Sequence, residues 1–226
     1  MVSGKIEIMR GLLGTLMVAI GALGCAFLLY RFSRGKTGRV PVITLVIIGS
    51  TALVTGLQFF FPEVLTVLRR NREALRAGEW WRMVTPLFVQ AYGGWQACGN
   101  GVAAILFCPL AERLYGKKLW ALYFVPGVVG QIWGYLWSPN MAGSSLGIAG
   151  VTGGLFAFVG FHRRELSGSA QPFALCGIAG AVALCFSRDI HGPPTVLGIL
   201  LASIMMILEV ANRERASLRS QLTKET

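Results

Sequence analysis

Few side chains in this sequence can move a proton or attack a carbonyl. One is Thr152, a lone hydroxyl held between Gly150 and Gly153 in the stretch GVTGGLFAFVG, Gly150 to Gly160. A hydroxyl attacks a peptide carbonyl only when a neighbouring group takes its proton, and the chain has 2 histidines, His162 and His191. His162 follows Thr152 by ten positions, roughly 15 Å along a helix, which excludes it. His191 precedes Gly192-Pro193-Pro194. Proline favours the first turn of a helix, so the spacing predicts a helix beginning there and leaves His191 in a solvated loop. A Thr152/His191 pair is the alternative. The 5 cysteines, Cys25, Cys98, Cys108, Cys176 and Cys185, lie in or beside apolar stretches without CxxC or CxxxH spacing. They read as small core residues, and neither a metal site nor a cofactor is expected.

The elements that must position these groups are apolar. The 226 residues are 54% hydrophobic and 14% charged, with a mean hydropathy of +0.61, too apolar for a soluble domain of this size. Crossing a hydrocarbon core of about 30 Å takes about 20 apolar residues. Seven stretches qualify: 11–30, 41–61, 96–111, 119–137, 147–162, 170–186 and 194–210. The first reads as a retained anchor, because its apolar run is longer than that of a signal peptide and a basic RFSRGKTGR patch follows it. The formal charge of +11 suggests nucleic acid only until its distribution is read, since the basic residues punctuate the ends of apolar stretches. Arg31, Arg34, Lys36, Arg39, Arg113, Lys117, Lys118, Arg163, Arg164, Arg213, Arg215, Arg219 and Lys224 fall on one side of such a bundle; Lys5, Arg10, Arg69, Arg70, Arg72, Arg76, Arg82 and Arg188 fall on the other. The richer side is expected in the cytoplasm with the C-terminus, leaving the N-terminus outside, in a plasma membrane. The partners expected are therefore the lipid bilayer and membrane segments, not nucleic acid.

No internal repeat is visible. The expected organisation is an N-terminal spanning helix with a basic loop over 1–40, a six-helix core over 41–212 and a cytoplasmic tail over 213–226. Within the core, 62–95 reads as an amphipathic outer loop whose Trp80, Trp81 and Tyr92 suit the headgroup region. Asn100 and Gln131 are polar groups inside spans and mark the bundle interior. The near absence of ionisable side chains in the spans argues against a transporter.

In order and spacing, GEWWRMVTPLF, WQACGNGVAAILFCPLAERLYGKKL, GVTGGLFAFVG and PTVLGILLAS resemble the rhomboid superfamily, whose six-helix core cleaves other membrane proteins inside the bilayer. The resemblance spans about 42–210. It implies an all-α polytopic bundle with one extra N-terminal helix. In the family's proteases a serine between two glycines is the nucleophile, and a histidine three residues before a glycine is its base. Carried onto this chain, the nucleophile position falls on Thr152, in a G-x-S-G-x-x-x-G frame that includes Gly150 and Gly153. The base position falls on Thr195, three before Gly198, and the oxyanion pair on Gln96 and Asn100. A shifted frame, Gly147 to Gly150, would put Ala149 at the nucleophile position. Trp81, Arg82, Glu112 and Arg113 stand as structural motif residues, with Arg82 bracing the loop and Glu112 and Arg113 tying a helix end by capping and ion pairing. Without serine or histidine at those two positions, the resemblance implies an inactive relative that binds transmembrane segments of client proteins. The alternative is an active endopeptidase using Thr152 with His191. The glycines also read as a small-residue face joining two helices, across which Thr152 and Thr195 could bond.

Overall fold

A computed structural model describes residues 2–33, 40–166 and 170–222. The basic loop expected over 34–39 and the end of the tail, 223–226, lie outside the described residues. Among the described residues, regular structure is helical throughout: nine α-helices and three short 3-10 turns. Seven of the helices coincide with the apolar stretches: α1 (Val2–Ser33), α2 (Val42–Phe60), α5 (Gly93–Tyr115), α6 (Leu119–Trp137), α7 (Ser145–Phe161), α8 (Ala170–Phe186) and α9 (Gly192–Leu222). The loop over 62–95 contains α3 (Glu63–Leu68) and α4 (Arg72–Arg76). Asn71 caps α4, its side-chain oxygen accepting from Ala74 N at 3.0 Å. The helix α9 runs past the expected end of its span into the polar tail, where Arg213 pairs with Glu209 one turn back at 2.6 Å.

Met9–Ser33, Val42–Phe60, Gly93–Trp137 and Gly192–Ser217 are long and apolar enough to cross a membrane. The third of these is two helices, α5 and α6, turned at Gly116 with φ 57°, a conformation that favours glycine. The 17-residue helices α7 and α8 are each about 25 Å long. Apolar on every face, α7 belongs in the interior, and every residue from Leu146 to Val159 is buried.

What lets neighbours reach this central helix is the absence of side chains. A Cβ on Gly153 would lie 2.1 Å from the Thr195 carbonyl oxygen, and one on Gly198 would lie 2.1 Å from the Gly150 carbonyl oxygen. The helices α7 and α9 therefore meet backbone to backbone, as small residues permit in a membrane. The extra helix α1 docks on α8 in the same manner, with the Gly21 Cβ position 2.7 Å from Gly177 Cα. The threonines do not bridge α7 and α9. Thr152 donates to Ile148 O at 2.9 Å and Thr195 to His191 O at 2.8 Å, each within its own chain segment, because a helical threonine reaches the carbonyl one turn back more readily than a neighbouring helix.

Polar side chains fasten the ends. Glu112, near the end of α5, accepts from Ile43 N at 3.0 Å and from Thr44 N and Oγ1 at 2.7 Å each, satisfying orphan donors at the start of α2. Arg113 lies over the Tyr30 ring, 5.9 Å from its centroid, so α1 gives it an aromatic face where ion pairing was expected. Arg82 pairs with Glu79 at 2.7 Å and donates to the carbonyls of Thr66 and Arg69 at 2.8 and 3.0 Å, bracing the loop as the sequence suggested. Its neighbour Trp81 is exposed.

Gly153→Val forces the α7 and α9 backbones apart, and overpacking of this kind costs about 1–3 kcal/mol. Its unfolding midpoint in detergent should fall below wild type. Gly160, whose Cβ would meet nothing within 4 Å, should accept Ala with an unchanged or higher midpoint; equal behaviour at the two positions would contradict the backbone-contact account.

Candidate active site

The end of α8 decides where an imidazole can go. Arg188 takes φ 55°, the left-handed conformation usually left to glycine. Asp189 N then bonds to Leu184 O at 3.0 Å, and Arg188 N to Cys185 O at 3.2 Å, the double closure of a Schellman motif. The turn brings Asp189 back under the chain, and three residues later α9 begins at Gly192 with Pro193 and Pro194 in its first turn. His191 is the residue just before α9. Its carbonyl accepts from Thr195 N at 3.2 Å and from Thr195 Oγ1 at 2.8 Å. Its ring does not point away into a solvated loop, as the prolines suggested.

His191 Nδ1 lies 2.7 Å from Asp189 Oδ1, and the same oxygen accepts from His191 N at 2.8 Å. His191 Nε2 lies 3.0 Å from Ser145 Oγ. Burial would raise the Asp189 carboxyl, but its hydrogen bond to His191 and the charge of that ring outweigh the effect and hold it below the usual aspartate range. Ser145 is the first residue of α7, where backbone N–H groups have no partner inside the helix. A hydroxyl, an imidazole and a carboxylate thus stand in line at the end of the bundle where α7 begins, the arrangement that lets a serine lose its proton to a histidine of fixed tautomer.

The residues chosen from the resemblance take other places. Thr152 is seven positions further along α7, about 10 Å deeper. It is buried, with its hydroxyl committed to Ile148, and His191 faces Ser145 in its stead. Thr195 is fully buried and holds the His191 carbonyl. His162 stacks on Phe158 at the opposite end of α7, ring centroids 3.9 Å apart. Gln96 accepts from Tyr92 N at 2.8 Å and donates to Ala142 O at 3.0 Å, and Asn100 donates to Gln90 Oε1 at 2.8 Å. Gln90 in turn binds Gln58 and donates to Ser144 Oγ at 3.1 Å, so a chain of amides runs from α2 to the start of α7. Sequence reasoning passed over Gln58, Gln90, Ser144, Ser145 and Asp189. The signal was present: Gly143-Ser144-Ser145 offers G-x-S with Leu146 in place of the second glycine, and His191 stands three before Pro194 and seven before Gly198.

Two cavities meet at Ser145 and His191. The larger, about 370 Å³, runs between α1 and α5 over the face of α7 and is lined by Val18, Ala22, Asn100, Ala103, Ala149 and Thr152 besides the pair. The smaller, about 50 Å³, lies toward the loop. Among the described residues, no group of three or more His, Cys, Asp or Glu is placed to hold a metal ion.

This fold defines an integral, multi-pass helical membrane protein. The chain belongs to the rhomboid family: the Rhomboid domain matches residues 77–208. It is similar to "Putative rhomboid protease YdcA" of Bacillus subtilis (strain 168), 28% identical over 189 residues, which cover 77% of this chain and 92% of that protein. It is also similar to "Rhomboid protease GluP" of the same organism, 30% identical over 115 residues, 46% of this chain and 21% of that protein.

The depressed Asp189 carboxyl has a consequence for stability. Its contribution is present above the unfolded pKa of roughly 4 and is lost as pH falls through the lower folded value. Asp189→Asn should therefore unfold at a lower temperature than wild type near neutral pH, with the two curves converging in strong acid; an offset that stays constant with pH would rule out this linkage.

Proposed function

We propose that this protein is an active intramembrane serine endopeptidase, with Ser145 as nucleophile and His191 as general base. The observation that carries this reading is the 3.0 Å contact between Ser145 Oγ and His191 Nε2. Asp189 on Nδ1 keeps that nitrogen protonated and leaves Nε2 free to accept. The expectation of an inactive relative rested on threonines at both chemical positions; the Ser145 contact with His191 supports the active reading in its place.

In the first step His191 takes the Ser145 proton as Oγ attacks the scissile carbonyl, and the imidazolium then gives that proton to the leaving amine. The oxyanion formed on attack develops beside the first turn of α7. The Ser145 backbone N–H and the positive end of the helix dipole serve it there, and Gln96 and Asn100 each line a cavity that also reaches Ser145. Water then attacks the acyl-serine with His191 as base again, which frees the enzyme. The apolar cavity between α1 and α5 suits a substrate segment arriving from the bilayer, so the substrates are transmembrane segments of other membrane proteins. The charge asymmetry of the loops supports a plasma membrane, with the N-terminus and Ser145 facing outward and the C-terminus in the cytoplasm.

Purified protein reconstituted with a model transmembrane substrate should cleave it. Ser145→Ala and His191→Ala should each lower kcat by about 10⁴–10⁶, as loss of either member of a serine-hydrolase pair does. Thr152→Ala should keep activity near wild type, and a fluorophosphonate probe should label Ser145. Cleavage that survives Ser145→Ala would overturn the assignment, as would cleavage lost in Thr152→Ala with the fold intact.

A further inference from the structure

Arg70, between α3 and α4, is fully buried, and no carboxylate among the described residues pairs with it. Its Nη1 donates to Gln131 O at 3.1 Å and to Gln131 Oε1, and its Nη2 donates to Ser138 O. The guanidinium lies against Gly134, where a Cβ would come within 2.6 Å of Nη1. Burial lowers the guanidinium only to about 10, so it stays cationic at neutral pH. Carbonyls near the end of α6 meet part of that charge. Two buried donors nevertheless have no acceptor, Arg70 Nε and Gln131 Nε2.

Both side chains line the smaller cavity, about 50 Å³, whose other walls include Gln96, Gly143, Ser145 and His191. Buried donors without acceptors are costly and rare. An unpaired cation beside them makes the missing group an oxygen, and an anionic oxygen above a neutral one. A water needs about 10–15 Å³ by the same kind of measure, so the space admits a carboxylate or carboxamide and excludes a long aliphatic or aromatic side chain. Its contact with Ser145 places the guest beside the bond that Ser145 attacks.

We infer that this cavity is a side-chain pocket selecting a short residue with an acceptor oxygen, aspartate above all, next to the scissile bond of the substrate. The inference rests on Ser145 being the nucleophile and adds a preference that the Ser145 and His191 pair by itself does not specify. The larger apolar cavity holds the flanking membrane segment while Arg70 and Gln131 read one polar side chain.

The test varies the ligand and so does not depend on an Arg70 variant folding. Ser145→Ala protein in detergent micelles is titrated with fluorescent transmembrane peptides carrying Asp, Asn, Ala or Leu in turn at each position through the segment, and binding is followed by anisotropy. At one position Asp should bind about tenfold or more tighter than Ala or Leu, the size expected of a charge-assisted hydrogen bond, with Asn between them. The Asp advantage should fade as pH falls through the aspartate range, roughly 4. Wild-type protein should cleave the same peptides in the same order of kcat/KM, and Arg70→Gln should erase the difference between Asp and Asn. Equal affinity for Asp, Ala and Leu at every position would overturn the inference and leave the cavity to water only. Cleavage without an Asp preference would overturn it while leaving the Ser145 assignment standing. An Asp preference in binding with no cleavage by wild type would uphold the pocket and remove the protease reading.

Discussion

Ser145 and His191 meet at 3.0 Å above the place where α7 and α9 touch backbone to backbone. The Gly153 and Gly198 contacts leave no room for a methyl group, so they fix the separation of the two helices. Ser145 stands at the first residue of α7 and His191 immediately before α9, so both are carried at the ends of that locked pair. A hydrogen bond tolerates errors of a few tenths of an ångström, and a helix pair spaced by glycines holds that tolerance better than one spaced by flexible side chains. Gly150, Gly153 and Gly198 set the distance between the elements that carry Ser145 and His191, although none of them carries a functional group.

The surrounding polar contacts orient what the glycines space. Asp189 is placed by the Schellman turn that ends α8, at the expense of a left-handed Arg188. Strain of this kind is worth keeping where it aims a side chain. Thr195, by holding the His191 carbonyl, fixes the backbone from the α9 side while Asp189 fixes the ring. The amides of Gln58, Gln90 and Asn100 and the hydroxyl of Ser144 stabilise the start of α7 from the opposite direction. Arg82 and Arg70 anchor the loop that closes over this end of the bundle.

Much of the scaffold was legible in the sequence. Runs of apolar residues mark α2 and α5 to α8 to within a few residues, and the membrane-spanning parts of the longer α1 and α9, because a bilayer demands length and hydrophobicity and both are written in composition. The glycine face of α7 was legible for the same reason. The Ser145 and His191 pair lies at a different depth on these helices from the residues picked out by the resemblance. G-x-S at Gly143 to Ser145 and G-x-T at Gly150 to Thr152 lie seven residues apart, close to two turns, so they share a face and periodicity cannot separate them. Depth separates them: Ser145 begins the helix, whereas Thr152 is enclosed by it and turns its hydroxyl to Ile148. Likewise, Pro194 in place of a glycine hid the frame in which His191 precedes Gly198 by seven. Asp189, two residues before His191, was visible as a residue but not as a partner, since only the turn at Arg188 folds it back. The burial of Arg70 was hidden for a different reason, as a charge in a basic amphipathic loop reads as solvated until the loop is seen to fold over α6.

The docking of α1 on α8 bears on where this molecule divides. The Rhomboid domain match begins at residue 77, yet Gly21 packs directly on Gly177, Cys25 and Leu29 have no exposed surface, and Val18 and Ala22 help enclose the cavity that reaches Ser145. Shared ancestry and physical cooperativity thus draw different borders through one chain. A helix that lies outside the Rhomboid domain match belongs to the same folding unit as the Ser145 and His191 pair, and stripping it away would present a furrow of bare backbone to the lipid tails.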